Sequence, residues 1–258
     1  MLFYLHKYCI IFLSISNVKR LIDFLLKIYL LPLHVSERLS LYAKGTILKY
    51  NEHFSIAMDV IRRRFPDDTG VVIDIGAFDG DSTIYLAKKL PKNKILSFEP
   101  NPVSFSKARV NVEKYKNVEL FNLAFSNQKG EFDFYLTKDS VSSSLHNIKD
   151  TSEFSLDKII KVKVETLDSF LSAHTNILLI KLDVQGAELN ILKEGKDTLK
   201  KTKLVLTEVL NSQFYEEGCM YYEVDQVLRE NGFKIHSIIS NYNYAGTKYF
   251  DVLYMNSI

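Results

Sequence analysis

Downstream of Gly70, short apolar runs rich in β-branched residues alternate with segments of helical periodicity. Strands that alternate with helices indicate βαβ units and a parallel sheet, because each parallel strand has to be reached by a crossover segment. Helices then cover both faces of the sheet, which places the chain in the α/β class. The predicted strands are 71–75, 94–98, 118–123, 177–182 and 204–209, and the predicted helices are 82–90, 102–115, 167–172, 187–199 and 221–230.

Two stretches depart from this alternation. Residues 124–164 carry a half-buried strand pattern around 132–136, and strand character resumes near 162–164. Close to the C-terminus, strands 233–239 and 249–254 are joined by a loop that is short for a helical crossover. These last two strands are therefore predicted to be antiparallel neighbours.

Composition narrows the class of protein without identifying it. The chain has 258 residues, of which 47% are apolar and 25% charged, and its net charge is +2. These values exclude a disordered or collagen-like chain, and the weak basic excess gives no support for a nucleic-acid partner. The two cysteines, Cys9 and Cys219, lack the spacing of a zinc module or a disulfide scaffold. We expect free thiols in a reducing compartment, the cytoplasm.

Residues 1–68 are predicted to form a helical extension ahead of an α/β domain at 69–258. No apolar run in the extension reaches the roughly 20 residues needed to span a bilayer. Apolar residues between 21 and 33 recur at helical spacing and indicate an amphipathic helix. This helix either packs on the main domain or attaches to a partner or to the inner face of the membrane, where basic residues would meet anionic headgroups. The basic residues are Lys19, Arg20 and Lys27.

The first candidate site is the segment from Asp74 to Gly80, DIGAFDG, where a buried strand meets a helix. In an open α/β sheet, ligands bind beyond the carboxyl ends of the strands. Glycines such as Gly76 and Gly80 allow tight turns and close approach of a ligand to the backbone. The spacing DxGxxxG differs from the GxGxxG fingerprint, which disfavours a loop that cradles a pyrophosphate. An ordinary strand–turn–helix junction with glycines for packing is the alternative.

The second candidate site is Glu99, at the end of the next strand in FEPNP, 25 positions after Asp74 (99 − 74). An acid at about that distance commonly accepts hydrogen bonds from a ribose diol. A carboxylate suits this task because it offers two acceptor oxygens to two hydroxyl donors. Together with the first motif, Glu99 predicts a nucleoside-containing cofactor.

The third candidate site is LDVQGAEL, in which Asp183 ends a buried strand and Gly186 opens the next helix. The carboxylate of Asp183 is predicted to point into the same crevice as Gly76. Glu188 falls in the first helical turn, where a negative charge also complements the helix dipole. Lys181 could pair with an acid or face solvent. Glu208 ends the following strand and would line the cleft as well.

These motifs occur in an order that resembles the FkbM family of S-adenosylmethionine-dependent methyltransferases. The resemblance covers about residues 70–255 and rests on VVIDIGAFDGDSTI, SFEPNP, NLAFSNQKGEFDF, SSSLHNI, VKVETLDSFL, ILLIKLDVQGAELNIL and LVLTEVL. It implies a class I methyltransferase (Rossmann-like) fold, with a seven-stranded, mostly parallel sheet whose last strand is reversed. It also implies O-methyl transfer to a hydroxyl, often on a glycan, a lipid-linked sugar or a natural product.

The resemblance also implies roles for individual residues. The loop that holds the methionine half of the cofactor would include Asp74, Gly76, Ala77 and Gly80. Glu99 would bind the ribose hydroxyls, with Asn101 near the adenosine. The segment of Ala124 and Ser126 would border the adenine through backbone groups, since the acid found there in many related enzymes is missing. Asp183 would lie near the transferred methyl group. Many members have Glu where this chain has Gln185, which makes Gln185 a doubtful catalytic acid.

Transfer to a neutral alcohol benefits from a base that removes the hydroxyl proton as the new bond forms. Asp183 is the first candidate for this base, His146 the second and Glu208 the third. Tyrosines in the C-terminal third, including Tyr215, Tyr222 and Tyr242, could stack on a sugar or simply pack. Histidine, aspartate and glutamate show no metal-ligand spacing in the sequence, so no metal is assigned.

Two other functional classes remain open on the sequence alone. A nucleotide-dependent oxidoreductase is disfavoured by the missing GxGxxG and by the spacing after Asp74. A non-catalytic interaction protein that keeps the fold is disfavoured by the intact set of Asp74, Gly76, Gly80 and Glu99. Family usage favours a sugar hydroxyl in polysaccharide biosynthesis as the acceptor.

Overall fold

The computed structural model describes residues 48–138, 142–147, 149, 155–212, 214–239 and 249–257. One compact unit spans Glu52–Ile258. The predicted amphipathic helix, Cys9, Tyr242 and the 241–248 loop lie outside the described residues. Within the described part, no helix combines the length and apolar character needed to cross a membrane.

The main sheet confirms the predicted class I architecture. Its seven strands are β1 (Val71–Ile75), β2 (Ile95–Phe98), β3 (Val118–Phe121), β7 (Ile177–Leu182), β8 (Thr202–Leu210), β9 (Phe233–Ile239) and β10 (Tyr249–Asn256). They lie in the order β3-β2-β1-β7-β8-β10-β9. β1, β2, β3, β7 and β8 pair in parallel, whereas β10 runs antiparallel to both β8 and β9. The last strand is therefore reversed, as the resemblance implied.

A second sheet of three strands was not predicted. It consists of β4 (Ala124–Phe125), β5 (Gly130–Thr137) and β6 (Leu156–Glu165), in the order β4-β6-β5. β5 and β6 pair antiparallel and bury one apolar face, which includes Phe134 and Val162. The predicted strand 118–123 was too long by two residues, because Ala124 and Phe125 turn away to pair with β6. An alternating pattern identifies a half-buried strand but not the strand with which it pairs.

Most of the described helices flank the main sheet. They are α1 (Leu48–Arg64), α2 (Asp81–Lys89), α3 (Pro102–Val112), α4 (Leu167–Phe170), α5 (Glu188–Lys193), α6 (Lys196–Leu199) and α7 (Tyr221–Glu230). The predicted helix 187–199 is divided at Gly195 into α5 and α6. A side chain at Gly195 would approach Leu167 to 2.8 Å, so this glycine lets α4 pack closely.

Two apolar clusters cover the two faces of the main sheet. Alternate residues of β1 contribute to different clusters: Ile73 and Ile75 to one, and Val72 to the other. Helix α1 adds Phe54 and Ala57 to the second cluster, so its C-terminal part belongs to the core of the same unit. Because β1, β2 and β7 are parallel, their carboxyl ends lie on the same side of the sheet. The main candidate residues follow these carboxyl ends.

Candidate active site

The loop after β1 can be built only with glycine at position 76. Gly76 has φ +84°, and a Cβ atom added there would overlap the carbonyl oxygen of Asp183, which follows β7. The amide nitrogens of Gly76 and Ala77 both donate to the carbonyl oxygen of Phe98 at 3.0 Å. The amide of Asp183 donates to the carbonyl of Ile75 at 3.1 Å. Gly76 therefore joins the ends of β1, β2 and β7.

We expect Gly76→Ala to destabilise the protein by about 3–5 kcal/mol, because it adds a backbone overlap to an unfavourable φ angle. Gly232→Ala is the matched control. It shares the positive φ, but its Cβ would meet only the side-chain oxygen of Asn256, at 3.3 Å. We expect the control to lose about 1–2 kcal/mol. Urea unfolding of both variants measures the difference, and equal losses would contradict the overlap at Gly76.

Gly80 and Asp74 shape the same loop from inside. Gly80 precedes α2 with φ +94°, and a Cβ there would lie 3.3 Å from the Cα of Ala108 in α3. The Asp74 carboxylate is fully buried, and its Oδ2 accepts hydrogen bonds from the hydroxyls of Ser82 and Thr83, each at 2.7 Å. The structure thus shows Asp74 holding the start of α2 against β1, and Gly80 allowing α3 to approach.

The carboxylate of Glu99 lies at the end of β2 and is bound to backbone on both oxygens. Oε2 accepts from the amide of Phe78 and Oε1 from the amide of Asn101, each at 2.8 Å. Burial raises the pKa of Glu99 to about 7, against the opposing effect of these two amides. Asn101 caps α3, because its Oδ1 accepts from the amide of Val103 at 3.0 Å.

Ala124 begins the short strand β4 of the small sheet, and Ser126 directly follows that strand. Both are buried, and the amide of Ser126 donates to the carbonyl of Glu165 at 3.0 Å. Between them, the ring of Phe125 meets Phe98 edge to face, with 4.7 Å between centroids. The small sheet is therefore fastened to the end of β2, beside Glu99.

Asp183 is a partly exposed carboxylate with a contact on each of its two oxygens. Its Oδ1 accepts from the Nε2 of Gln185 at 2.9 Å, and its Oδ2 lies 3.6 Å from the Nζ of Lys181. One third of the Asp183 side chain is exposed, at 33%. Because Asp183 also contacts the loop at Gly76, it lies next to the predicted cofactor loop and remains open to solvent.

Lys181, whose pairing the sequence left open, is buried, and its ammonium group lies between the β1 loop and Asp183. Its Nζ donates to the carbonyl of Gly76 at 2.7 Å and lies 3.2 Å from Oδ1 of Asp74. A buried acid and a buried ammonium each cost free energy unless they are paired. This ion pair therefore keeps both charges inside the fold and connects the β1 loop to Asp183.

Glu208 lies near the end of β8, which continues to Leu210, and not at its last residue. Its Oε2 accepts from the same Nε2 of Gln185 at 2.8 Å. Burial raises the pKa of Glu208 well above its usual range, and the nearby acids Asp183, Asp251 and Glu188 raise it further. Glu208 therefore holds a proton more readily than an ordinary glutamate, and Asp183 is the acid that lies directly beside the predicted cofactor loop.

His146 is connected to the 183–186 loop only indirectly among the described hydrogen bonds. Ser144 makes the connection, since its hydroxyl donates to the carbonyl of Gln185 at 2.8 Å and accepts from the amide of His146 at 3.1 Å. The imidazole is buried, with its Nε2 3.5 Å from the amide of Asn190 and its Nδ1 3.9 Å from Glu217. Burial lowers the pKa of His146, against the charge of Glu217, so the ring is neutral near pH 7.

The structural roles of two side chains at the site, Gln185 and Glu188, were not predicted from the sequence. Gln185, treated only as a doubtful acid, uses its amide to join Asp183 and Glu208, and its Oε1 accepts from the hydroxyl of Tyr215 at 3.1 Å. Glu188 is fully buried and accepts from the amide of Val184 at 3.1 Å, so it closes the loop onto α5. Burial raises the pKa of Glu188 to about 7. Among the described residues, no group of three or more histidines, cysteines and acids is arranged to hold a metal ion.

The sequence was compared with known families and proteins. Residues 74–235 match the model of the Methyltransferase FkbM domain. The chain is 30% identical over 199 residues to the 2-O-methyltransferase NoeI of Sinorhizobium fredii, covering 72% of this chain and 81% of that protein. It is 28% identical over 148 residues to Methyltransferase 1 of Beauveria bassiana, covering 50% of this chain and 59% of that protein.

Solved structures were compared as well. A TehB-like SAM-dependent methyltransferase from Corynebacterium glutamicum aligns over 86% of this chain and 96% of its own, with 10% identity and a TM-score of 0.45. The family match decides against the oxidoreductase and the non-catalytic alternatives. The chain belongs to the FkbM family of methyltransferases, enzymes whose methyl donor is S-adenosyl-L-methionine.

Proposed function

We propose that this protein methylates a hydroxyl group of a sugar or of a glycan intermediate, in the biosynthesis of a polysaccharide. The observation that carries the proposal is the partly exposed carboxylate of Asp183. The backbone amide of this residue donates to Ile75 at the end of β1, where the glycine loop begins. The similarity to a 2-O-methyltransferase supports a hydroxyl acceptor. The choice of a sugar as the carrier of that hydroxyl rests on the acceptors that are common in the family.

The residues at the end of β2 fit the ribose of the cofactor. Each oxygen of Glu99 accepts one backbone hydrogen bond and retains a second acceptor position, so the carboxylate can still receive two hydroxyl donors. We assign the loop of Gly76, Ala77 and Gly80 to the methionine half of the cofactor. Asp74 would support that loop from below. The adenine would be bordered by the remaining members of the predicted set, Asn101, Ala124 and Ser126.

The proposed reaction requires an acceptor oxygen that is deprotonated as it attacks. When bound, S-adenosyl-L-methionine would supply a methyl group on a positively charged sulfur. Attack of the acceptor oxygen on the methyl carbon would break the carbon–sulfur bond and leave a neutral thioether. Asp183 would orient the acceptor hydroxyl and take its proton on a carboxylate oxygen. Glu208 would act beside it through its hydrogen bond with Gln185. His146 is neutral but buried, and it stays a second candidate for the base.

Cofactor binding is expected to weaken as the pH falls, because Glu99 must be ionised to accept both ribose hydroxyls. With a pKa of about 7, Glu99 is mostly protonated at pH 6 and mostly ionised at pH 8. The dissociation constant should therefore rise about tenfold from pH 8 to pH 6. Adenosine is the suitable probe, since it carries the ribose without the titratable amine and carboxylate of methionine. A constant adenosine affinity over this range, measured by calorimetry, would remove Glu99 from the ribose site.

We assign residues 69–258 to the methyltransferase domain and residues 1–68 to a helical extension, of which the part from Glu52 onward packs into the core of the same unit. The extension would place the enzyme at the inner face of the membrane, close to lipid-linked acceptors. Vesicles with and without anionic lipid would test this assignment. Co-sedimentation that depends on anionic lipid is expected for the full chain, and sedimentation that is independent of lipid charge would contradict it.

The central test is a methyl-transfer screen with radiolabelled S-adenosyl-L-methionine. Nucleotide sugars, lipid-linked oligosaccharides and free glycans are offered to the full chain in separate reactions. Label in a sugar ether is the expected result. Label transferred only to compounds without a sugar would refute the proposed acceptor class, while leaving the methyltransferase assignment intact.

A further inference from the structure

We propose that Gln185 is a positioning residue, which holds Asp183 in place for methyl transfer by joining it to Glu208 through a single amide nitrogen. The proposal rests on the proposed function, in which Asp183 takes the proton of the acceptor. Gln185 itself need not touch the acceptor or the cofactor. Its part is to fix where the carboxylate oxygen of Asp183 lies.

The side-chain amide of Gln185 is placed between the two acids. Its Nε2 lies 2.9 Å from Oδ1 of Asp183 and 2.8 Å from Oε2 of Glu208. An amide nitrogen carries two hydrogens and can satisfy both acceptors, whereas a carboxyl group carries at most one. Glutamine is therefore the side chain at position 185 that can donate to both acids at once. A glutamate there would lose one hydrogen bond and add a third acidic group.

Tyr215 contacts the other end of this amide. The Tyr215 hydroxyl lies 3.1 Å from Oε1 of Gln185 and 3.0 Å from the carbonyl oxygen of Ser142, and its ring is almost fully buried. The hydroxyl has a single hydrogen for these two carbonyl oxygens, so the orientation of the amide rests on the two acids, to which only the NH₂ group can donate. The opposite orientation would place a carbonyl oxygen against two carboxyl groups.

The backbone supports the same arrangement. Two successive residues have a positive φ angle, Gln185 at +57° and Gly186 at +94°. Glycine adopts this region freely, whereas it is unfavourable for a residue with a side chain such as glutamine. The hydroxyl of Ser144 holds the carbonyl of Gln185 at 2.8 Å. Strained backbone of this kind persists where the surroundings enforce it, and it concentrates at functional sites.

The charges around the pair explain why a neutral donor is useful. Asp251 faces Glu208 in the β8–β10 register, and Glu188 lies close enough to raise the pKa of Glu208. Lys181 lies on the other oxygen of Asp183, at 3.6 Å. The amide of Gln185 thus adds hydrogen bonds to a crowded group of acids without adding charge. It leaves the second acceptor position of each Asp183 oxygen for the acceptor hydroxyl.

The test variant is Gln185→Asn, which keeps an amide and suits the left-handed backbone better than glutamine does, but is one methylene too short to reach both acids. The matched control is Gln226→Asn, on the exposed face of α7, where Gln226 contacts only Glu230 among the described hydrogen bonds. The cofactor-free full chain is labelled with ¹³C at the side-chain carboxyl carbons. We expect the signals of both Asp183 and Glu208 to move in Gln185→Asn, and neither to move in the control.

Transfer kinetics give the second readout, with the acceptor found in the radiolabel screen. We expect Gln185→Asn to lower kcat about 10- to 100-fold with the cofactor dissociation constant and the unfolding midpoint nearly unchanged. In an Asp183→Ala background the same change should cause no further loss, because Gln185 acts through Asp183. Carboxyl signals that stay fixed, or losses that multiply in the double variant, would overturn the inference. Full turnover by Asp183→Ala alone would instead refute the base assigned in the proposed function.

Discussion

Glu99→Ala is expected to abolish measurable binding of S-adenosyl-L-methionine. Glu99 can offer two acceptor positions to the ribose hydroxyls, and hydrogen bonds to a charged group contribute about 1.5–3 kcal/mol each. Losing both corresponds to an affinity at least about 100-fold lower. Calorimetric titration of the purified full chain with the cofactor measures the loss.

The Glu99 variant also removes the acceptor of two backbone amides, those of Phe78 and Asn101, so folding has to be measured beside binding. Glu119→Ala is the matched control, because Glu119 lies on the neighbouring strand β3 and forms only a half-exposed ion pair with Lys94. Such exposed pairs contribute little to stability. A folded Glu99→Ala protein that binds the cofactor as tightly as the control would end the ribose assignment.

The elements of the main sheet could be predicted because their signals are local. Helix α7 and strands β7 and β9 have the predicted bounds, since each is a periodic or continuous apolar run closed by turn residues. The small sheet could not be predicted, because alternation at 132–136 indicates a strand without indicating its partner. The partner, β6, begins 19 residues after β5 ends (156 − 137).

The site was predictable in position and less so in contacts. Asp183, Glu99 and Gly76 could be placed at one edge, because the ends of parallel strands coincide there. The contacts of Lys181 and Gln185 could not be predicted, since they depend on which way a side chain turns. Gln185 and Glu208 are 23 positions apart, and no local sequence pattern predicts that the side-chain amide of Gln185 reaches the carboxyl group of Glu208. Asp74 was expected in the cofactor loop, and its complete burial points to support of that loop.

Asp183→Ala is expected to retain cofactor affinity and to lose methyl transfer. A base positioned by the enzyme typically contributes about 100- to 10,000-fold to the rate, so kcat should fall within that range. The cofactor should bind as before, because Glu99 and the glycine loop are untouched. Asp183→Asn is the sharper variant, since it has the same shape and can still accept from Gln185, but it cannot take a proton at neutral pH.

Both Asp183 variants are compared with Asp133→Ala, in which an exposed ion pair with Lys161 on the small sheet is lost. Radiolabel transfer under single-turnover conditions separates the chemical step from binding. If Asp183→Asn transfers methyl groups at the rate of the Asp133 control, the carboxylate is not the base, and Glu208 or His146 must be examined in its place. If only the chemical step fails, the partly exposed acid beside Gly76 is the group on which the reaction depends.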